Sequence, residues 1–170
     1  NVDTILKASE RYAKEGYKVI FLSDFNIKEK EVPIPMPLIV SAVHNYLIKK
    51  ILRSKISIVS ISGDAVEDHH FAVLAALGAS AIYPIGSYQL IYNESINNDP
   101  TIRLENYRHS VEKGLLKIMS KMGISTFTSY HGSMLLHSIG LGDELSKSYF
   151  PGLPNNLGGL DIAQLENRLL

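Results

Sequence analysis

The sequence of 170 residues contains no cysteine. This absence excludes disulfide bonds, a thiol nucleophile and an iron–sulfur cluster whose ligands come from this chain. An excess of charge of one sign is also lacking, because 17 Lys and Arg residues balance 17 Asp and Glu residues. A chain without net positive charge has no electrostatic reason to bind nucleic acid or an anionic membrane, so we predict neither as a partner.

Long apolar runs are missing as well. No run reaches the length of about 20 residues that spans a bilayer, and residues 1–9 lack the pattern of a signal peptide. We therefore expect a cytoplasmic protein. What is present is the composition of an ordinary globular domain, with 45% hydrophobic and 20% charged residues in a chain long enough to bury a core.

Strand and helix patterns alternate along the chain. Short β-branched runs predict strands over residues 17–22, 56–61, 79–84 and 124–128. Apolar residues at helical spacing predict helices over 37–53, 66–77 and 101–122, the first with Leu47, Ile48 and Ile51 in its buried set. This alternation predicts an α/β fold with a mainly parallel sheet of about four βα units, which is either half of an eightfold βα barrel or a small open sheet.

The last forty residues carry weaker patterns. After Gly132 we predict two short helices, over residues 133–139 and 143–150, and then a segment rich in glycine and proline. Asp161 is predicted to cap a final helix. We assign residues 1–170 to a single α/β domain, in which residues 151–170 form a tail or a linker towards a following domain.

In such sheets, functional side chains gather where the strands end. The segments that follow the four predicted strands are 23–24, 62–64, 83–86 and 129–132. The candidate strand-end or interface residues are Asp24, Asp64, His70, Ser129, His131 and Gly132. We assign none of them to catalysis, to a cofactor or to a metal.

Two arrangements among these residues would suit chemistry. Asp64 with His70 is a pair that a metal hydrolase would use, but Asp64 followed by Glu67 also fits a capping box at a helix start, and we favour the cap. His131, Ser129 and Asp24 would be the members of a nucleophilic triad. Because no G-x-S-x-G pattern surrounds Ser129, we interpret them as hydrogen-bonded loop residues.

Segments spread in order along the chain resemble the C-terminal half of the central domain of glutamate synthase. The most specific is the VEKGLLKIMSKMGIST block at Val111–Thr126. The other matching segments are Leu22–Asp24, Pro33–Pro35, Val40–His44, His69–Ala72, Gly78–Pro84, Ser129–Gly132, Tyr149–Gly152 and Gly158–Gly159.

The resemblance implies a fold and a role. In that family an amidotransferase domain hydrolyses glutamine, an FMN-binding barrel carries an iron–sulfur cluster, and ammonia passes between the two sites through a tunnel. The central domain joins the two and has a TIM-barrel-related topology similar to that of FMN-linked oxidoreductases. The resemblance thus implies no cofactor and no catalysis in this segment, FMN and an iron–sulfur cluster elsewhere in the parent enzyme, and the amidotransferase and FMN-binding domains as partners, in the same chain or separate.

The chain departs from the family pattern where arginines are usual. Phe25 follows Asp24, His131 stands in the Ser-Tyr-Arg-Gly segment, and residues 155–157 replace the usual serine and arginine of the tail. Two alternatives stay open: an independent flavin- or phosphate-binding βα enzyme, and a homo-oligomer of this chain. Leu38, Leu47, Leu135 and Leu136 are predicted to lie at the boundary where this chain would meet another domain or a second copy.

Overall fold

The structure, a computed structural model, describes residues 1–25, 32–95 and 99–169. In chain order its elements are α1 (Val2–Lys14), β1 (Val19–Ser23), α2 (Met36–Lys49), β2 (Ser57–Ile61), α3 (Asp68–Ala76), β3 (Ala81–Tyr83), α4 (Ile85–Asn93), α5 (Thr101–Lys121), α6 (Phe127–Tyr130), β4 (Ser138–Leu141), α7 (Asp143–Tyr149), β5 (Asn155–Leu160) and α8 (Ile162–Leu169). A 3₁₀ turn at Arg53–Lys55 precedes β2. The predicted tail therefore contains a strand and a helix.

The first three strands form one parallel sheet in the order β1-β2-β3. Alternation along the strands places Ile20, Leu22, Ile58 and Ser60 on one face, and all four side chains are buried there. The predicted α/β class and parallel sheet are confirmed. The sheet has three strands among the described residues, however, rather than the four that the sequence predicted.

The residues that the structure describes leave the other face of this sheet open. Val19, Phe21 and Tyr83 point to it and are 41%, 64% and 47% exposed. Phe21 pairs with Val59, which pairs with Ala81, so an apolar row crosses all three strands. Both faces of a parallel sheet are normally covered. The described part of the chain covers only one.

Helix α2 lies at the centre of the core. Pro37 stands in its first turn, where a missing N–H costs no helical hydrogen bond. Leu38 and Leu47 belong to the main hydrophobic cluster, so their predicted boundary position is wrong, whereas Leu135 is 50% exposed. The helix ends at Lys49, before the predicted Arg53. Ile48 in its last turn and Ile51 beyond its end are exposed rather than buried.

The predicted strand at 124–128 is wrong. After the long helix α5, which forms as predicted, residues 124–126 are irregular and the short helix α6 begins at Phe127. The buried side chain of Tyr130 donates a hydrogen bond to the Ala72 carbonyl of α3, and the Gly132 N–H donates to the Ala75 carbonyl. These contacts with the end of α3 outweigh the β propensity of the segment.

A second sheet forms where the sequence predicted a helix and a tail. Strand β4 occupies the end of the predicted helix 133–139 and pairs in parallel with β5. The pairing is irregular, with register shifts on both sides of Ile139. Helix α7 connects the two strands, as predicted for residues 143–150, and Asp161 caps α8 by accepting a hydrogen bond from the Gln164 N–H at 2.7 Å.

Candidate functional site

The carboxyl ends of β1 and β2 meet at Asp24. Its carboxylate accepts hydrogen bonds from the Ser62 hydroxyl at 3.1 Å and from the Gly63 N–H at 2.9 Å. Gly86, at the start of α4, lies against the same turn, because a Cβ at Gly86 would come within 2.3 Å of the Gly63 carbonyl oxygen. The structure thus brings the first three predicted strand-end segments together, and it uses Asp24 to hold the backbone that follows β2.

His70 lies in the first turn of α3 and caps it. Its Nδ1 atom accepts hydrogen bonds from the N–H groups of Val66 at 3.1 Å and of Glu67 at 3.2 Å. The predicted pairing of Asp64 with Glu67 is wrong, because α3 begins at Asp68 and its N-cap is Glu67. With Nδ1 accepting two bonds, the neutral ring carries its proton on Nε2.

Asp64 and His70 line one cleft between α2 and α3. The cleft has a volume of about 250 Å³ and is otherwise mostly apolar, with Pro35, Met36 and Leu74 in its wall. The arrangement offers one exposed carboxylate and one imidazole whose Nδ1 is already bonded. Within the described residues, no group of three or more His, Cys, Asp and Glu side chains is placed to hold a metal ion.

The fourth predicted segment lies at the opposite edge of the sheet. His131 contacts Ser80, which directly precedes β3, and Arg53, which precedes β2. These residues mark the amino ends of the strands, so the predicted position of Ser129, His131 and Gly132 at the carboxyl ends is wrong. The reason is that no strand forms at 124–128, and the segment packs on the end of α3 instead.

Arg53 is the centre of a half-buried polar cluster at this amino edge. Its guanidinium donates to His44 Nδ1 at 2.9 Å, to the Ile56 carbonyl at 2.6 Å and to the Gly78 carbonyl at 2.9 Å. His131 Nε2 lies 3.2 Å from the guanidinium and 3.0 Å from the Gly78 oxygen. Burial lowers the pKa of Arg53. One cation thus ties together α2, the start of β2, the turn after α3 and the segment after α6.

Two glycines enclose the His44 ring. A Cβ at Gly78 would lie 2.2 Å from His44 Nδ1, and a Cβ at Gly132 would lie 2.8 Å from His44 Cε1. Both glycines have positive φ, at +114° and +66°, which other residues rarely adopt. Burial, with smaller effects from Arg53 and His131, lowers the pKa of His44 to about 4.

Burial also lowers the pKa of His131, and the hydrogen bond with the Gly78 carbonyl partly offsets this effect.

The side chains of the hypothetical triad have separate partners. Ser129 Oγ lies 2.8 Å from Thr126 Oγ1, His131 belongs to the Arg53 cluster, and Asp24 binds the turn after β2. The geometry therefore assigns these three residues to structural hydrogen bonds.

Sequence reasoning missed Arg53 and did not single out His44. No motif surrounds either of them, and 9 positions separate them in the chain. The available signal was weak. It consisted of an arginine three positions before a predicted strand and of glycines at 78 and 132, where the structure leaves no room for a side chain beside the His44 ring.

The fold and these sites define a class: an α/β domain whose described residues cover one face of a parallel sheet and place polar clusters at both ends of its strands. Comparison with known families gives the particular family. The sequence model described as Glutamate synthase central domain matches residues 1–142. The chain belongs to the glutamate synthase central domain family.

Curated relatives agree with this assignment. The chain is 40% identical over 158 residues to glutamate synthase [NADPH] large chain of Bacillus subtilis. The aligned region covers 91% of this chain and 10% of that relative. It is 39% identical over 184 residues to the ferredoxin-dependent glutamate synthase of Antithamnion sp., covering 96% of this chain and 12% of the relative. The chain thus spans about a tenth of the length of these relatives. No helix of the described residues is long and apolar enough to cross a membrane.

Proposed function

We propose that this chain is the non-catalytic central domain of a glutamate synthase. In this role it joins the glutaminase domain to the FMN- and iron–sulfur-binding synthase domain, in the same polypeptide or as a separate one. It supports ammonia transfer between them in the cytoplasm, so that glutamate is made from glutamine and 2-oxoglutarate. FMN and the cluster belong to the other domain, and residues 151–170 connect towards a following domain.

The observation that carries this proposal is the open apolar face of the β1-β2-β3 sheet in a chain of this family. Phe21, Val59 and Ala81 form an apolar row. Among the described residues, Phe21 and Ala81 are exposed and Val59 between them is partly exposed. β1 and β3 each have one edge that pairs with no strand among the described residues. A sheet of this kind is expected to be completed by neighbouring protein.

The strand order supports a barrel-related completion. Consecutive parallel strands that are also neighbours in space, β1-β2-β3, are the arrangement of a βα barrel, in which the inner face is filled by apolar side chains from all strands. The same order also occurs in one half of an open doubly wound sheet. We propose the barrel-related topology, because Val19, Phe21 and Tyr83 on the exposed face are β-branched or aromatic.

The polar residues support a structural role. Asp24 holds the turn after β2, His70 caps α3, and Arg53 joins four segments. These groups lie where catalytic residues would be sought first. Each of them makes hydrogen bonds with the backbone or with other side chains of the fold. We therefore place the reacting groups of the parent enzyme in the other domains.

The proposal is tested by two chimeras of the Bacillus subtilis large chain. In the first, this chain replaces the matching segment, and in the second a Gly-Ser linker replaces it. We expect the first chimera to form glutamate from glutamine, and the linker chimera to keep glutaminase activity but lose its coupling to glutamate formation. Equal coupling in both chimeras would contradict a joining role.

A titration of the purified chain with FMN tests the alternative of an independent flavin enzyme. We expect no saturable quenching of flavin fluorescence at micromolar concentrations. Saturable binding would overturn the cofactor-free assignment and direct attention to the cleft of Asp64 and His70.

A further inference from the structure

The turn after α2 holds an isoleucine where glycine is normally found. The Ile51 N–H donates to the Ile48 carbonyl and the Leu52 N–H donates to the Leu47 carbonyl, both at 2.9 Å, which is the Schellman pattern of a helix end. The residue between, Ile51, has φ +58°. A left-handed backbone is disfavoured for a β-branched residue, and glycine relieves this cost at the same position.

The side chain of Ile51 is also 85% exposed. Leu47 and Leu52, by contrast, are buried in the core. The described fold therefore gains little burial from Ile51, although it holds the residue in a strained conformation. A strained residue that the surrounding packing does not need points to a role outside that packing.

Cationic side chains surround this residue. Lys49, Lys50 and Lys55 are exposed, and the sequence from Val32 to Gly63 contains no acidic residue. Lys50 lies 3.5 Å from a Glu10 carboxylate oxygen of α1. We name Ile48, Lys49, Lys50, Ile51 and Lys55 the Ile51 knob; Ile48 is itself 50% exposed.

A surface of the opposite character lies between α7 and α8. This cavity of about 610 Å³ is lined by the carboxylate residues Asp143, Glu144 and Asp161 and by the apolar residues Leu145, Tyr149 and Ile162. We name it the acidic socket. Ile162 is 51% exposed, and Lys147 offsets part of the charge by lying 3.7 Å from Asp143.

We propose that the Ile51 knob of one copy docks in the acidic socket of a second copy. Apolar side chains are exposed on both surfaces, and their charges are opposite, so docking buries the former and pairs the latter. An anionic membrane suits the knob less well, because its three lysines are fewer than the clusters of about 4–8 that lipid-binding segments carry. The turn presents the exposed Ile51 side chain to solvent, which suits insertion into a cavity.

The contact is head-to-tail, since knob and socket are different surfaces. Each copy in a pair keeps one free knob and one free socket. Association therefore continues beyond dimers as the concentration rises, unless the geometry closes a ring. This inference does not depend on the proposed function.

Sedimentation velocity of the purified chain over a range of concentrations tests the proposal. We expect concentration-dependent association that weakens with salt. Ile51→Gly removes the side chain and relieves the backbone strain, so the variant should melt at or above the temperature of the unchanged chain while its Kd weakens roughly tenfold to hundredfold. Leu90→Ala, which changes a side chain that is 62% exposed on α4, is the control and should leave Kd unchanged.

Mixing two variants makes the test specific. Ile51→Asp lacks the knob and Glu144→Lys alters the socket, so each alone should associate weakly. Mixed together they should form dimers and nothing larger, because only one intact knob can meet one intact socket. A monomer at all concentrations, an Ile51→Gly variant that associates normally, or flotation with phosphatidylserine vesicles that Ile51→Gly abolishes would each overturn the proposal.

Discussion

At the scale of single residues, the cluster around Arg53 depends most on the protonation state of its members. A half-buried guanidinium is satisfied there by two histidines and backbone carbonyls rather than by a carboxylate. Such an arrangement requires the histidines to stay neutral, since a second cation beside Arg53 would be repelled in a poorly solvated place. The stability of the fold should therefore depend on pH.

The direction follows from the lowered pKa of His44. Its pKa is about 4 in the folded chain against an ordinary 6.5, so the unfolded chain binds the extra proton. The contribution is complete above pH 6.5 and is lost as the pH falls towards 4. Between pH 7 and pH 5 we expect a loss of about 1 kcal/mol in the free energy of unfolding, after allowing for residual solvent screening.

Urea unfolding at pH 7, 6 and 5 measures this loss. His44→Gln keeps an acceptor near Arg53 but cannot take up a proton in this range, so its free energy of unfolding should fall less over the same interval. Equal losses in the variant and in the unchanged chain would show that His44 is not the responsible group.

At the scale of elements, the residue that caps the start of α3 differs between the structure and the sequence prediction. Asp64 was the predicted cap, whereas the structure places the His70 imidazole on the two N–H groups of Val66 and Glu67. A lost cap of this kind costs about 1 kcal/mol.

We expect His70→Ala to lower the free energy of unfolding by about 1 kcal/mol, and Asp64→Ala to change it by less than about 0.5 kcal/mol. His69→Ala is the matched control, because His69 is exposed and its ring contacts only the neighbouring Asp68 among the described residues. Chemical denaturation of the three variants gives the comparison. A larger effect from Asp64→Ala would restore the predicted capping box.

At the scale of the whole molecule, the main question is whether the open face of the sheet is exposed to solvent or covered by neighbouring protein. Ile20 and Phe21 are neighbours on β1 but point to opposite faces, 8% and 64% exposed. In the isolated chain, Ile20→Thr should cost about 2–3 kcal/mol and Phe21→Thr less than about 1 kcal/mol.

In the Bacillus subtilis chimera that carries this chain, Phe21→Thr should cost more than it does in the isolated chain. If neighbouring protein covers the face there, Phe21→Thr should lower the melting temperature of the chimera by several degrees, about as much as a buried substitution does. Differential scanning calorimetry of the chimera with and without the substitution gives the answer. An unchanged melting temperature would mean that the face stays open in the longer protein, against a barrel-related completion.

The sequence by itself determined the elements whose signals are local. These signals are the periodicity of α2 and α5, the β-branched runs of β1 and β2, and Asp161 before α8. Each depends on neighbours a few residues away, and all the predicted elements are present. The parallel sheet also follows from the sequence, because strand and helix patterns alternate along the chain. A helix that connects two neighbouring strands brings the chain back so that both strands run in the same direction. The family was recognisable from ordered segments, above all Val111–Thr126.

Only the tertiary structure decided what depends on distant contacts. Residues 124–128 have strand propensity, but hydrogen bonds to the carbonyls at the end of α3 hold the following segment as a short helix and a turn. β4 and β5 pair although their sequences predicted a helix and a tail. In the cluster of His44, Arg53 and His131, the contact between Arg53 and His131 joins positions 78 residues apart. The two glycine contacts of the cluster exist only because the His44 ring fills the space between Gly78 and Gly132. No local pattern encodes such long-range contacts.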